Sequence, residues 1–144
     1  MPELPEVETV KRILKQKLNQ KTIQNVKVYY KPIIGHSHVF ENIWPQKIHD
    51  VLRYGKYLLF KLDDYIMAIH LRMEGKFYIK SPSLPIEKHE HVIFQLSQDL
   101  DLRYHDVRKF GRIILLDKTN YINTPPLNKL GKEPKDANIT VFHN

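Results

Sequence analysis

Pro2 and Glu3 pose the first chemical question of this sequence, which opens MPELPEVETVKRIL. A small residue after the initiator Met favours its removal, so the mature chain is expected to begin with Pro2 and a free secondary amine. An α-amino group has a reference pKa of about 7.7–8.0 against about 10.4 for Lys, so a sizeable fraction is unprotonated at neutral pH. Such an amine can attack an electrophilic carbon and form an imine, and the neighbouring Glu3 carboxyl can move protons for it. The competing reading is a frayed chain end.

Further along, HLRMEGKF places Met73 where a strand should end, beside Glu74-Gly75. A flexible apolar side chain at a hairpin tip either folds back as core filler or serves as a wedge between DNA base steps. HDVRKFGR is similar: Arg108, Lys109 and Arg112 surround Phe110-Gly111 in a turn. A basic turn with an aromatic tip suits phosphate contact and base stacking or insertion; the alternative is a solvated turn with Phe110 tucked into the core. Lys56 in RYGKYLLF and His70 on the strand before Met73 are either phosphate contacts or ordinary surface residues. The pairs His36/His38 and His89/His91 are spaced i, i+2, which puts both rings of each pair on one face of a strand. That spacing permits a metal site, but no Cys or carboxylate motif supports one, and KHEH beside a basic turn suits phosphate contact or hydrogen bonding better.

These residues need a scaffold. Pro5, Glu6 and Glu8 make a good helix start, and Val7, Val10, Leu14 and Leu18 form one apolar stripe. The period then alternates. Thr22 to Tyr30 reads as a strand with Ile23 on the opposite face from Val26, Val28 and Tyr30, and residues 31–46 read as a long loop with at most one short strand. KIHDVLRY, YLLFKL, YIMAIHL, KFYIK, HVIFQLS, LRYHD and RIILLD follow as strands between turn signals. Many short strands joined by tight turns predict an antiparallel sandwich or barrel. NTPPLNKLG predicts a short second helix, capped by Asn123 or Thr124 and ended by Gly131.

The chain's 144 residues fit one domain with a real core. No apolar run approaches the roughly 20 residues of a membrane span, and the charged start excludes a secretory signal. Zero Cys excludes disulfides, a thiolate nucleophile and a Cys-based zinc site. A net charge of +7 and a pI near 9.5 point to a polyanionic partner.

Taken together, MPELPEVETV, RYGKYLLF, HLRMEGKF, KHEHVIFQL, DVRKFGR and LGKEP resemble, in order, the N-terminal domain of bacterial formamidopyrimidine-DNA glycosylases. The resemblance covers almost the whole chain, and its first motif is specific: the related endonuclease VIII branch usually opens Pro-Glu-Gly-Pro. The fold implied is α+β, mostly β: an antiparallel β-sandwich flanked by an N-terminal helix and a short second helix. The implied activity is base-excision repair of oxidised purines (8-oxoguanine and formamidopyrimidines) through a Schiff base on the N-terminal proline, with β,δ-elimination. Pro2 would be the nucleophile, Glu3 the proton carrier for sugar-ring opening, and Glu6 a support. Lys56 and His70 would hold phosphates, Met73, Arg108 and Phe110 would fill the gap left by the flipped base, and His89, His91 and Lys109 would add DNA contacts. The implied partner is double-stranded DNA with oxidised purines or abasic sites. A bacterial cytoplasmic monomer without membrane attachment is expected. DVRKFG departs mildly from the family pattern, with Val107 and Lys109 where Pro and Arg are common.

The family continues into a helix–two-turn–helix region and a four-Cys zinc finger. Residues 1–131 are therefore expected to be the catalytic domain and 132–144 the start of a linker, with no cofactor in this chain and the structural zinc of the family lying in the further region. Two rivals stay open: a non-catalytic DNA-binding module that keeps the wedge, and a metal-binding β-domain using the His pairs.

Overall fold

The computed structural model describes residues 4–35 and 37–130. Helix α1 spans Leu4–Leu18, so Pro5 lies one residue inside the first helical position expected. The stripe faces inward: Val7, Leu14 and Leu18 are buried and Val10 packs against them. Among the described residues nine strands follow: β1 (Thr22–Val28), β2 (Gln46–Lys47), β3 (Asp50–Tyr54), β4 (Tyr57–Lys61), β5 (Tyr65–His70), β6 (Lys76–Lys80), β7 (Glu90–Leu96), β8 (Leu100–His105) and β9 (Arg112–Asp117). They form two antiparallel sheets, ordered β2-β1-β7-β8-β6 and β3-β4-β5-β9. Among the described residues no helix is long and apolar enough to cross a membrane.

The four-stranded sheet is apolar on both faces, which explains its unbroken runs. Val51, Leu58, Phe60, Met67, Ile69, Ile113 and Leu115 face the main core, together with α1 and the five-stranded sheet. The alternate residues Leu52, Leu59, Ile66, Ala68 and Leu116 form a second cluster, closed by Leu127.

Three local expectations are corrected. Ile23 does not oppose Val26: both are buried in the same core, because β1 pairs with β7 through a register shift between Ile23 and Asn25 that absorbs one residue. Residues 31–46 hold a 3-10 turn (Lys31–Ile33), a helical turn α2 (Ser37–Phe40) and β2 rather than an open loop. His38 therefore lies on a helical turn, where i, i+2 residues do not share a face, and His36 lies outside the described residues. The second helix predicted from NTPPLNKLG is a pair of 3-10 turns, Tyr121–Asn123 and Leu127–Leu130, with Asn123 inside the first and Pro125-Pro126 separating them. Gly131 lies outside the described residues.

Strand register decides which residues meet. Tyr57 pairs with His70, and His70 with Arg112, so the start of β4, the end of β5 and the start of β9 share one end of their sheet. In the other sheet Lys76 pairs with His105 and Glu90 with His105, which aligns the starts of β6 and β7 with the end of β8. The turns at 55–56, 71–75 and 106–111, and the approach to β7 at 88–89, are continuous with these strand ends.

Candidate functional site

Pro2 and Glu3 lie outside the described residues, but the helix that follows them is firmly mounted. The Glu8 carboxylate accepts a hydrogen bond from Arg53 Nε at 2.8 Å and an ion pair from Lys11 at 3.1 Å. Burial would raise the Glu8 pKa, yet these partners outweigh it and hold the carboxyl below its usual range. Arg53 Nη1 in turn donates to the Gly55 carbonyl at 2.9 Å, so one guanidinium ties α1 to the turn that carries Lys56. Lys15 adds a second tie to Asp50 at 3.2 Å. Glu6 is exposed in the first turn of the helix.

His70 stands beside that turn. Its ring meets Tyr57 edge-on at 4.8 Å, and its Nδ1 accepts the Arg72 backbone N–H at 3.1 Å. Burial, followed by the positive charges of Arg72 and Lys56, lowers its pKa to about 4. The ring is therefore neutral at physiological pH, and with Nδ1 occupied as an acceptor its proton sits on Nε2. The result is a fixed, uncharged hydrogen-bond donor.

The next turn reverses the chain between Leu71 and Gly75, with the Gly75 N–H bonded to the Leu71 carbonyl at 2.9 Å and Arg72 at φ 58°. Met73 points out of it, 59% exposed, so the core-filler reading fails. The 106–111 turn is built on a buried carboxylate. Asp106 Oδ1 accepts the Lys109 N–H at 3.0 Å, and Oδ2 accepts the Gly111 N–H at 2.9 Å and the Tyr104 hydroxyl at 2.8 Å. With the loop's polar groups satisfied inward, Phe110 is left 52% exposed rather than tucked into the core. Arg108 reaches Glu74 of the neighbouring turn at 3.5 Å. Met73, Arg108 and Phe110, far apart in the sequence, thus stand on two adjoining turns.

The two histidines of KHEH diverge in role. His91 is buried and its Nε2 bonds the Asp106 carbonyl at 2.7 Å, while its own carbonyl accepts the Tyr29 N–H at 2.7 Å. A side chain held this way braces the basic turn from beneath, while its ring also borders the cleft that His89 lines. His89 is half-buried and lines a cleft of about 360 Å³ with Tyr29, Tyr30, Lys88 and Lys109, whose ammonium lies 4.7 Å above the Tyr30 ring. Among the described residues no three His, Asp or Glu side chains converge in a way that would hold a metal ion.

Two residues and one residue pair that matter here escape a sequence reading. Asp106 carries a signal, an Asp at the head of a basic turn, where its side chain can bond backbone N–H groups ahead of it. Tyr104 carries none, since alternation places it inside without saying what its hydroxyl meets. The Glu8–Arg53 pair bridges 45 positions and is invisible without the fold.

A profile of the formamidopyrimidine-DNA glycosylase N-terminal domain matches residues 1–113. The chain is 42% identical over 145 residues to a formamidopyrimidine-DNA glycosylase of Oceanobacillus iheyensis, covering 98% of this chain and 52% of that protein. It is 44% identical over 144 residues to the enzyme of the same name from Ligilactobacillus salivarius, with the same two coverages. Among solved structures it is similar to Lactococcus lactis Fpg bound to abasic-site DNA (TM-score 0.77, 36% identity, 83% of this chain and 45% of that one). The same protein with Fapy-dG-containing DNA gives a TM-score of 0.77 at 36% identity, covering 82% and 45%. The chain spans about half the length of the curated relatives it matches. A profile match over most of the chain, with relatives well above 30% identity along nearly all of it, is decisive: the chain belongs to the formamidopyrimidine-DNA glycosylase N-terminal domain family.

Proposed function

We propose that this chain is the catalytic portion of a bifunctional DNA glycosylase/AP lyase that removes oxidised purines from double-stranded DNA. The observation that carries it is the pair of adjoining turns with Met73 and Phe110 outward, joined by Arg108–Glu74 and set beside a neutral His70. Large apolar tips held in water on braced turns serve no core, and they suit insertion between bases. The DNA complexes of the Lactococcus lactis relative support DNA as the partner, as does the net charge of +7.

In this reading the damaged nucleotide leaves the stack, because its sugar carbon is unreachable inside a duplex. The Pro2 nitrogen attacks C1′, the C1′–N bond breaks, and the base departs with its electron pair and takes up a proton. Glu3 protonates the ring oxygen as the sugar opens, leaving C1′ joined to Pro2 as an iminium. Loss of a C2′ proton then expels the 3′ phosphate, and a second elimination expels the 5′ phosphate. Glu6 supports the site. Lys56 and the Nε2–H of His70 hold the flanking phosphates, and His89, His91 and Lys109, which border one cleft, contact the backbone nearby. The steps call on no cofactor, and the sequence has no Cys for the zinc that the family carries elsewhere. Residues 1–131 form the catalytic domain and 132–144 begin a linker. A cytoplasmic monomer completes the proposal.

Borohydride trapping on abasic single-stranded and duplex DNA, followed by peptide mapping, tests this reading. A covalent adduct on the Pro2 nitrogen is expected. An adduct on Lys56 with Pro2 unmodified would overturn the nucleophile, and DNA binding with no adduct on either substrate would favour a non-catalytic module.

A further inference from the structure

The two wedge-bearing turns share a feature that neither needs alone. Tyr104 is fully buried at the last but one position of β8, and its hydroxyl lies between Gly75 and Gly111. A Cβ on Gly75 would come within 2.6 Å of that oxygen, and one on Gly111 within 1.7 Å. Only glycine lets each backbone approach so closely. The hydroxyl donates to Asp106 Oδ2, whose other bonds hold the Lys109 and Gly111 amides. Burial, reinforced by the adjacent Asp106 charge, pushes the phenol well above its usual pKa, so it remains a donor at every working pH. One oxygen atom thus touches the backbone of the Met73 turn and the carboxylate that shapes the Arg108–Phe110 turn. The Arg108–Glu74 pair bridges the same turns outside, but both partners are substantially exposed and such a pair contributes little.

We propose that the Tyr104 hydroxyl and the Asp106 carboxylate form a positioning unit that fixes the two turns relative to each other, so that Met73 and the Arg108–Phe110 pair enter DNA as one body. The unit touches neither sugar nor base. It acts by holding three side chains at the spacing that a single unstacked base step demands. This inference rests on the proposal that the turns enter DNA.

Tyr104→Phe in the full 144-residue chain tests it by two readouts. The first is amide hydrogen exchange by NMR, which needs no activity. Losing the shared oxygen should speed exchange at both Gly75 and Gly111 on the order of tenfold, the size expected for one net hydrogen bond. Faster exchange at Gly111 alone, or at neither, would overturn the coupling. The second is the ratio of borohydride trapping on a duplex abasic site to that on a single strand. It should fall by roughly tenfold with single-strand trapping nearly unchanged, since only the duplex must be wedged. Equal losses on both substrates would overturn the positioning role. Gly111→Ala should lower the ratio further, and adding Tyr104→Phe should recover part of that loss; full additivity would count against the contact. Failure of the unsubstituted chain to trap either substrate would sink the functional reading, while the exchange data would still decide the coupling.

Discussion

Adjacent residues of β8 anchor two buried polar networks of opposite character. Arg103, fully buried, donates to Asp101 Oδ2 at 3.1–3.2 Å, to Glu90 Oε1 at 2.9 Å, and to the carbonyls of Ser81, Leu84 and Pro85 at 2.8–3.3 Å. Lys80 adds a second cation to Glu90. Burial would raise the Glu90 pKa, but the Lys80, Glu87 and Arg103 bonds hold it below its usual range. Tyr104, one residue on and facing the other way, makes one side-chain hydrogen bond among the described residues, to Asp106. The charged network fastens the 81–87 segment with many bonds, so no one of them decides its place. The smaller one, a phenol on a single carboxylate, sets the spacing of two turns with one oxygen. Abundance of bonds marks the structural anchor, and economy marks the positioning unit.

The largest effect expected from breaking this contrast is on stability. Arg103→Met strips the buried Asp101 of its Arg103 bonds and leaves Glu90 with Lys80 and the Glu87 amide only, which should cost about 3–5 kcal/mol. Tyr104→Phe should cost about 1 kcal/mol. Urea unfolding measures both, and a smaller loss for Arg103→Met than for Tyr104→Phe would reverse the ranking. Arg103→Met should also leave the duplex-to-single-strand trapping ratio of the surviving folded protein unchanged.

Met73→Ala and Phe110→Ala sharpen the contrast from the functional side. Both side chains are more than half exposed, so unfolding should shift by no more than about 0.5 kcal/mol. Duplex trapping should nevertheless fall several-fold further than single-strand trapping. A large stability loss would mean that these tips pack against something.

The smallest effect concerns His70. Its folded pKa of about 4 lies below the ordinary 6.5, so the unfolded chain takes up the proton first as pH falls. The stability tied to its neutral ring is complete above about pH 6.5 and is lost as pH falls through about 4. An NMR titration should find the imidazole neutral throughout pH 6–8. Arg72→Gln should raise the pKa only slightly, because burial, the larger cause, stays in place. A return to 6.5 in that variant would make charge the main cause.

Much of the scaffold was legible in the residues. The helix start at Pro5, the apolar stripe from Val7 to Leu18 and seven of the strand segments follow from side-chain period and turn chemistry, which act over a few positions. Less was legible where a long-range partner overrides the local pattern. The bulge that turns Ile23 and Val26 to one core depends on β7, and the 3-10 turns after Asn120 depend on the apolar face that Leu127 covers. For the site, the sequence by itself determined which side chains are on offer: the Pro2 whose amine the proposal uses, apolar residues at Met73 and Phe110, cations at Lys56 and Arg108. It also excluded thiolate chemistry. Only the tertiary structure decided which of these meet. Antiparallel register aligns the ends of β4, β5 and β9, burial neutralises His70, His91 comes to brace the basic turn, and Tyr104 comes to lie beneath Gly75 and Gly111. Register and burial are properties of the whole core, set by pairings across tens of residues, and no local pattern encodes them.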